Sequence, residues 1–210
     1  GFFTQGQRVR KMHSSYRSTF RTIGDTPIAS VTRDAFTPIK KGYNHRRKDK
    51  EVTIKPYFSD TVTMLYYYTG MKPDVMISMV DMGYKGIIII GTGLGHVNKE
   101  LYPALEYAKE KGVSVFMTLQ TIWGYVHMFV YDTGRDMMAK GVIPLRNMLP
   151  ETAYVKLGWV LGQTDEPEKV KEMMLTPISA DITEREPYNG YLVYQGGVPE
   201  VEDFVKKVHK

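Results

Sequence analysis

The chain has 210 residues, of which 42% are apolar and 24% charged, an ordinary balance for a globular protein. It holds no cysteine, which excludes disulfides, thiolate metal sites and cysteine nucleophiles. No apolar run approaches the roughly 18–20 residues of a membrane helix, and basic residues follow the first phenylalanines too soon for a signal peptide, so the expectation is a cytoplasmic protein with no membrane partner. The net charge of +5 is unevenly spread. Residues 1–50 carry twelve Lys or Arg against Asp25, Asp34 and Asp49, a balance of +9, and residues 51–210 carry sixteen against twenty, a balance of −4. A basic arm therefore precedes a mildly acidic body, and such an arm suits an anion such as nucleic acid.

Residues 1–39 show no sustained helical period, and Ile28–Val31 reads as their one short strand. Lys40–Lys50 is so polar that it reads as an exposed loop or hairpin tip. Val52–Phe58 follows as a strand stopped at Pro56. Pro73 sits where a first helical residue would, with Val75, Met76, Met79 and Val80 at helical spacing and Gly83 as the stop. Ile87–Ile90 has no polar face, the pattern of a strand buried on both sides in a parallel sheet. Asn98 opens a further helix with Leu101, Ala104, Leu105 and Ala108 on one face, ending at Gly112.

Val113–Leu119 is a second buried strand, and residues 120–134 are an aromatic-rich loop whose alternation also fits a strand. Arg135–Lys140 reads as a short helix and Val142–Leu145 as a short strand. Pro150 and Pro167 each start an amphipathic helix. The last segment, Ser179–Lys210, contains Tyr191–Tyr194 as a strand and a final helix with Val201, Phe204, Val205 and Val208 aligned. Strands alternating with helices predict an α/β fold: three layers, a mostly parallel central sheet with helices on both faces, preceded by an irregular basic connector.

The chemistry concentrates after Ile90. Gly91, Gly93 and Gly95 at alternate positions let the backbone turn sharply and approach another molecule closely. In an open α/β sheet, ligands collect at the carboxyl ends of the strands. Thr92 and His96 are placed to hydrogen-bond a polar ligand there, although a purely structural turn has the same composition. The run matches a dinucleotide fingerprint only loosely, because its third glycine falls one position early and no acidic residue closes a following strand about 20 residues on. Asp132 and Arg135, around Thr133-Gly134, fit the edge of a polar pocket or a helix start. Arg46, Arg47 and Lys48, with Tyr43 and His45, fit phosphate and base contacts or a solvated loop. The five histidines show no metal-ligand spacing, and neither a Walker loop nor a Gly-x-Ser-x-Gly elbow occurs.

Three stretches carry a family resemblance: Arg8-Val9-Arg10-Lys11-Met12-His13, Gly91-Thr92-Gly93-Leu94-Gly95-His96 and Tyr191-Leu192-Val193-Tyr194-Gln195-Gly196-Gly197. With Gly83-Tyr84-Lys85-Gly86-Ile87, they resemble the L-asparaginase superfamily, and within it the D-subunit family of archaeal glutamyl-tRNA(Gln) amidotransferases. The resemblance covers nearly the whole chain but only the carboxyl-terminal half of that family's protein. It implies a subunit that releases ammonia from asparagine or glutamine for the amidation of Glu-tRNA(Gln) to Gln-tRNA(Gln). It implies no cofactor in this chain, with ATP and Mg used by a partner E subunit. The implied partners are that E subunit, a second copy in a homodimer, and tRNA(Gln) through the complex.

The resemblance also divides the chain: 1–51 as a basic connector from an amino-terminal asparaginase domain, 52–178 as the asparaginase-like carboxyl-terminal domain, and 179–210 as the tail. In the family, two threonines in Thr-Gly-Gly-Thr and Gly-Thr-Asp-Thr motifs perform the nucleophilic chemistry, supported by an aspartate and a lysine. Thr69-Gly70 and Thr133-Gly134 are not continued in that way, so no catalytic residue is assigned in this chain. A threonine hydroxyl is a weak nucleophile until a base activates it, so hydrolysis by this chain alone is not expected. The resemblance makes Thr92, Gly93, Leu94, Gly95 and His96 a substrate-side loop and Tyr131, Asp132 and Arg135 its neighbour. Leu94 stands where asparaginases commonly carry a substrate-contacting asparagine, so that contact does not transfer. Two alternatives stay open: part of a free-standing L-asparaginase, or a non-catalytic binding or scaffold half-protein.

Overall fold

Ile87 and Ile89 enter one apolar cluster and Ile88 another, as residues of a doubly covered strand must. The computed structural model describes residues 1–17, 19–42, 49 and 51–186. Two units divide it: Gly1–Lys48 with Glu186–Lys210, and Asp49–Arg185. The tail elements expected from Tyr191 onward and the basic cluster Arg46, Arg47 and Lys48, with Tyr43 and His45, lie outside the described residues.

The described part of the first unit is made of short antiparallel strands: β1 (Phe2–Phe3), β2 (Val9–Lys11), β3 (Phe20–Thr22), β4 (Ala29–Val31) and β5 (Phe36–Pro38). β4 lies between β1 and β5, while β2 pairs with β3 alone. Where the sequence predicts one strand in an irregular connector, five are present. At two or three residues each, they are too short to show a period of two, and β1 finds its partner across the segment, with Phe2 opposite Ser30.

The second unit is a four-stranded parallel sheet of β6 (Val62–Tyr66), β7 (Gly86–Gly91), β8 (Ser114–Leu119) and β9 (Ile143–Pro144), in that order. Helices α1 (Pro73–Asp81) and α2 (Tyr102–Glu110) make the crossovers, followed by α3 (Asp132–Ala139), α4 (Pro150–Leu161) and α5 (Pro167–Leu175). Met76 and Val80 of α1 and Leu101, Ala104, Leu105 and Ala108 in and before α2 pack with Leu65, Ile87, Ile89 and Met117. On the other face Ala153, Leu157 and Val160 of α4, with Val170 and Met174 of α5, pack with Val62, Ile88 and Phe116. The three layers and parallel sheet are as expected.

Val52–Phe58 is not a strand, and this corrects the sequence expectation. Its backbone is used by α4 instead: Trp159 Nε1 donates to Lys55 O at 3.0 Å, Gln163 Nε2 to Tyr57 O at 2.8 Å, and Ser59 N to Gly158 O at 2.9 Å. A Cβ at Gly162 would run into the Tyr57 carbonyl, so the glycine is what admits the close crossing. The strand that opens the sheet is β6, shielded on both faces only at Val62 and Leu65. Two smaller corrections concern helix starts. The turn after Asn98 is 3-10 over Lys99–Leu101, without a side-chain cap from Asn98, and α3 begins at Asp132 rather than Arg135.

A buried clasp closes the second unit. Lys156 Nζ donates to Met174 O at 3.0 Å, Thr176 O at 2.7 Å and Asp181 Oδ2 at 2.5 Å. The other carboxylate oxygen of Asp181 accepts the N–H of Ile178 at 2.7 Å and of Ser179 at 3.0 Å. All three ammonium donors are therefore satisfied, as burial of a charge demands.

Candidate functional site

The carboxyl end of β7 runs straight into the glycine loop. Thr92 and His96 face each other as an isolated antiparallel bridge, with Thr92 N donating to His96 O at 3.0 Å and His96 N to Thr92 O at 2.9 Å. The Thr92 hydroxyl reinforces it, donating to His96 O at 3.1 Å. Gly93 and Gly95 turn the chain with φ of 52° and 92°. A Cβ at Gly95 would meet Val126 Cγ1 at 2.8 Å, and one at Gly91 would meet Met117 Sδ at 2.7 Å. Close packing as well as turn geometry therefore selects glycine here.

Leu94 presents its backbone to the neighbouring loop, where His127 N donates to Leu94 O at 2.9 Å. The same loop is anchored further along by Val126 N, which donates to Arg146 O at 2.9 Å. The His96 ring lies edge-on to Tyr131, with centroids 5.5 Å apart. Its Nε2 is buried with no hydrogen-bond partner among the described residues. Burial holds the imidazole below its ordinary pKa, so His96 is neutral at pH 7 and offers an unused nitrogen beside an exposed tyrosine.

Tyr131 is the residue before α3, and the polar residues after it are engaged locally. Asp132 Oδ1 accepts Thr133 N at 2.8 Å, and its other oxygen lies 4.0 Å from Lys99 Nζ across exposed surface. Arg135 turns back so that Nη1 donates to Phe129 O at 2.8 Å. Asp132 and Arg135 thus fasten the start of α3. The structure brings Thr92, Gly93, Leu94, Gly95 and His96 together with Tyr131, and Asp132 and Arg135 stand just behind.

Residues that sequence reasoning missed hold this corner in place. Gln120, just past β8, donates through Nε2 to Ile90 O at 3.0 Å and also to Tyr67 O, while its own N–H donates to Gly91 O at 2.9 Å. Tyr67 OH in turn accepts Asn98 N at 3.0 Å. One amide side chain therefore ties together the exits of β6, β7 and β8. The only signal in the sequence is position: Gln120 ends its apolar run as Gly91 ends its own.

Among the described residues, no three His, Asp or Glu side chains gather in a way that would hold a metal ion. The Thr92 hydroxyl and the N–H groups of Thr92, Gly95 and His96 already donate within the turn, which leaves a neutral imidazole at the end of the sheet. The Thr92 hydroxyl donates to a backbone carbonyl and not to a base, so nothing here activates it as a nucleophile.

Residues 61–174 match the glutaminase/asparaginase C-terminal domain family, and the chain belongs to that family. It is 47% identical over 187 residues to the D subunit of the glutamyl-tRNA(Gln) amidotransferase of Thermococcus kodakarensis, covering 89% of this chain and 42% of that protein. The corresponding D subunit of Methanothermobacter thermautotrophicus is 45% identical over 181 residues, with 86% of this chain and 41% of that protein covered. In three dimensions the chain is similar to the thermostable L-asparaginase from Thermococcus kodakarensis, with a TM-score of 0.78 and 30% identity over 86% of this chain and 54% of that one. The chain thus spans about two-fifths of the length of the curated relatives it matches.

Proposed function

We propose that this chain is the asparaginase-type carboxyl-terminal domain of the D subunit of a tRNA-dependent amidotransferase. The observation that carries the reading is 47% identity to such a subunit over 89% of the chain, well above the 30% to an L-asparaginase of similar fold. On this reading the parent releases ammonia from asparagine or glutamine, and the ammonia amidates Glu-tRNA(Gln) to Gln-tRNA(Gln). A partner E subunit binds the tRNA and uses ATP and Mg to activate the glutamyl group. The described residues of this chain do not fit a metal, so no step through Mg is assigned to it.

Neither threonine motif of the family occurs in the 210 residues, so the nucleophile belongs to the parent's other domain and this chain alone is not an amidohydrolase. Its role is to complete a wall of the active site, across a homodimer of the parent. The 92–96 loop supplies that wall. Gly93 and Gly95 turn it sharply, Leu94 contributes no polar side-chain contact, and neutral His96 adds no charge. The place of such a subunit is the cytoplasm, and no described helix is long and apolar enough to cross a membrane.

The test is a reconstitution of the parent subunit with and without its E partner. Ammonia release from each amide donor and formation of Gln-tRNA(Gln) are measured together. Gln-tRNA(Gln) formed only with E subunit and ATP supports the proposal. Ammonia release indifferent to tRNA and E subunit, with no amidated tRNA, makes the parent a free-standing L-asparaginase. No turnover under any condition leaves a binding or scaffold protein.

A further inference from the structure

Residues 1–24 carry Arg8, Arg10, Lys11, Arg17 and Arg21 and not one Asp or Glu. In the β2–β3 ribbon Arg10 stands directly opposite Arg21, and Lys11 opposite Phe20. Like charges directly opposed destabilise a strand pair, and a lone two-stranded ribbon is marginal to begin with. Arg21 turns aside, its Nη1 donating to Phe20 O at 2.9 Å.

Hydrogen bonds tie the described residues between these strands. Met12 N donates to Thr19 O at 2.8 Å, His13 N donates to Thr19 Oγ1 at 2.6 Å, and the same hydroxyl donates to His13 O at 2.7 Å. The His13 ring is pinned from the other side, its Nδ1 accepting Ser15 N at 3.1 Å and Tyr16 N at 3.3 Å. With Nδ1 as acceptor, the neutral ring carries its proton on Nε2. The Tyr16 ring lies on the His13 ring, centroids 4.1 Å apart and planes at 23°, yet Tyr16 remains 59% exposed and Phe20 57%. Lys11 and Arg17 stand on either side of this ledge of His13 and Tyr16 in the sequence, both exposed. The ledge is in place before any ligand arrives, so little ordering remains to oppose binding.

We propose that this turn, built on His13 and Tyr16 with Lys11 and Arg17 beside them, is a docking site for an unpaired stretch of RNA. A base stacks on the outer face of Tyr16 while the two cations meet the flanking phosphates. Stacking platforms combined with exposed cations are what single-stranded nucleic acids need, because every base has a π face and every link a charge. An acidic peptide would use the cations and leave the preformed ledge without a role. The proposal rests on the amidotransferase reading only for the source of the RNA.

The test uses the full chain, a labelled single-stranded oligoribonucleotide of about eight nucleotides and labelled tRNA(Gln), with fluorescence anisotropy over a series of salt concentrations. Tyr16→Ala should weaken oligonucleotide binding about five- to 150-fold, while Tyr16→Phe, which keeps the ring, should bind as the parent sequence does. The double substitution Lys11→Ala with Arg17→Ala should reduce the salt slope by about 1.4. Unchanged unfolding temperatures show that each variant keeps its fold, and Tyr16→Phe and the double variant serve if Tyr16→Ala does not. Oligonucleotide binding untouched by all three overturns the proposal, as does loss of E-subunit binding with RNA binding intact, which would make the turn a protein contact. Amidation by the parent complex, assayed in parallel, separates the two ideas. Active amidation with variant turns that bind RNA normally removes the docking site alone. RNA binding that depends on Tyr16 in a parent that never amidates tRNA removes the amidotransferase reading alone.

Discussion

The two units of this chain invert each other's use of side chains. In the second unit Ile87, Ile88, Ile89, Phe116 and Met117 are fully buried, and the buried charges are gathered into one satisfied clasp, Lys156 with Asp181. In the described part of the first unit the buried residues include Arg8, Thr19, Thr22 and Asp25, while Phe2, Phe3, Phe20 and Phe36 are exposed. A buried polar group is the informative exception in a protein, and in the first unit such groups stand beside buried Ile23 and Ala29. The contrast teaches where stability and where contact are invested. A doubly covered parallel sheet holds itself together by apolar burial, whereas short antiparallel strands held by polar links keep their aromatic rings outward.

The comparison breaks most visibly on a single residue type. Phe116→Ala removes a ring buried between β8 and the α4–α5 layer and should cost about 3–5 kcal/mol of unfolding free energy. Phe36→Ala removes a ring 60% exposed on β5 and should change stability by no more than about 0.5 kcal/mol. Urea unfolding followed by far-ultraviolet circular dichroism reads both. Equal losses would mean that the two units do not differ in the way their burial indicates.

The clasp sharpens the same contrast at the next magnitude. Lys156→Met leaves Asp181 buried without its cation and should cost about 3 kcal/mol. The pH dependence has a definite sign. Burial alone would raise the Asp181 carboxyl, but the Lys156 ammonium and the N–H groups of Ser179 and Ile178 outweigh it and hold the group below its usual range. A depressed folded-state value means that the contribution is complete above the unfolded aspartate value of about 3.9 and is lost as pH falls through the lower folded value. Unfolding midpoints measured downward from pH 6 should therefore drop in acid, and Asp181→Asn should remove part of that drop. A variant whose acid sensitivity equals that of the parent sequence would show that the clasp is not the titrating element.

The same physics explains what the sequence disclosed. Ile87–Ile90 and Val113–Leu119 were legible because a strand covered on both faces needs no polar residues, and Pro73, Pro150 and Pro167 marked helix starts because proline is tolerated at a first helical turn. Val52–Phe58 misled because spaced apolar residues look like a strand. Its carbonyls are instead taken by Trp159 and Gln163, more than a hundred residues away, which no local pattern reveals. The glycine loop announced itself by composition. Gln120 and Tyr67 did not, because their link exists only once parallel register brings the exits of β6, β7 and β8 side by side.

The smallest effect concerns the loop itself, and turns on whether the corner at the end of β7 is rigidly continuous with the sheet or merely attached to it. If it is rigid, His96 keeps its half-buried position, its Nε2 stays away from water, and protonation is disfavoured. The imidazole should then titrate below the ordinary histidine value of about 6.5, and the folded state should gain from that difference only as pH rises toward this value from below. Proton chemical shifts of the His96 ring followed from pH 5 to 8 give the answer directly. A His96 midpoint at or above that of a histidine in an unfolded peptide would mean that the loop opens to solvent, and the site would then be a mobile flap rather than a preformed wall. A depressed midpoint that rises in Gly95→Ala, where the added Cβ meets Val126, would show that the close packing of the glycine loop is what keeps the imidazole dry.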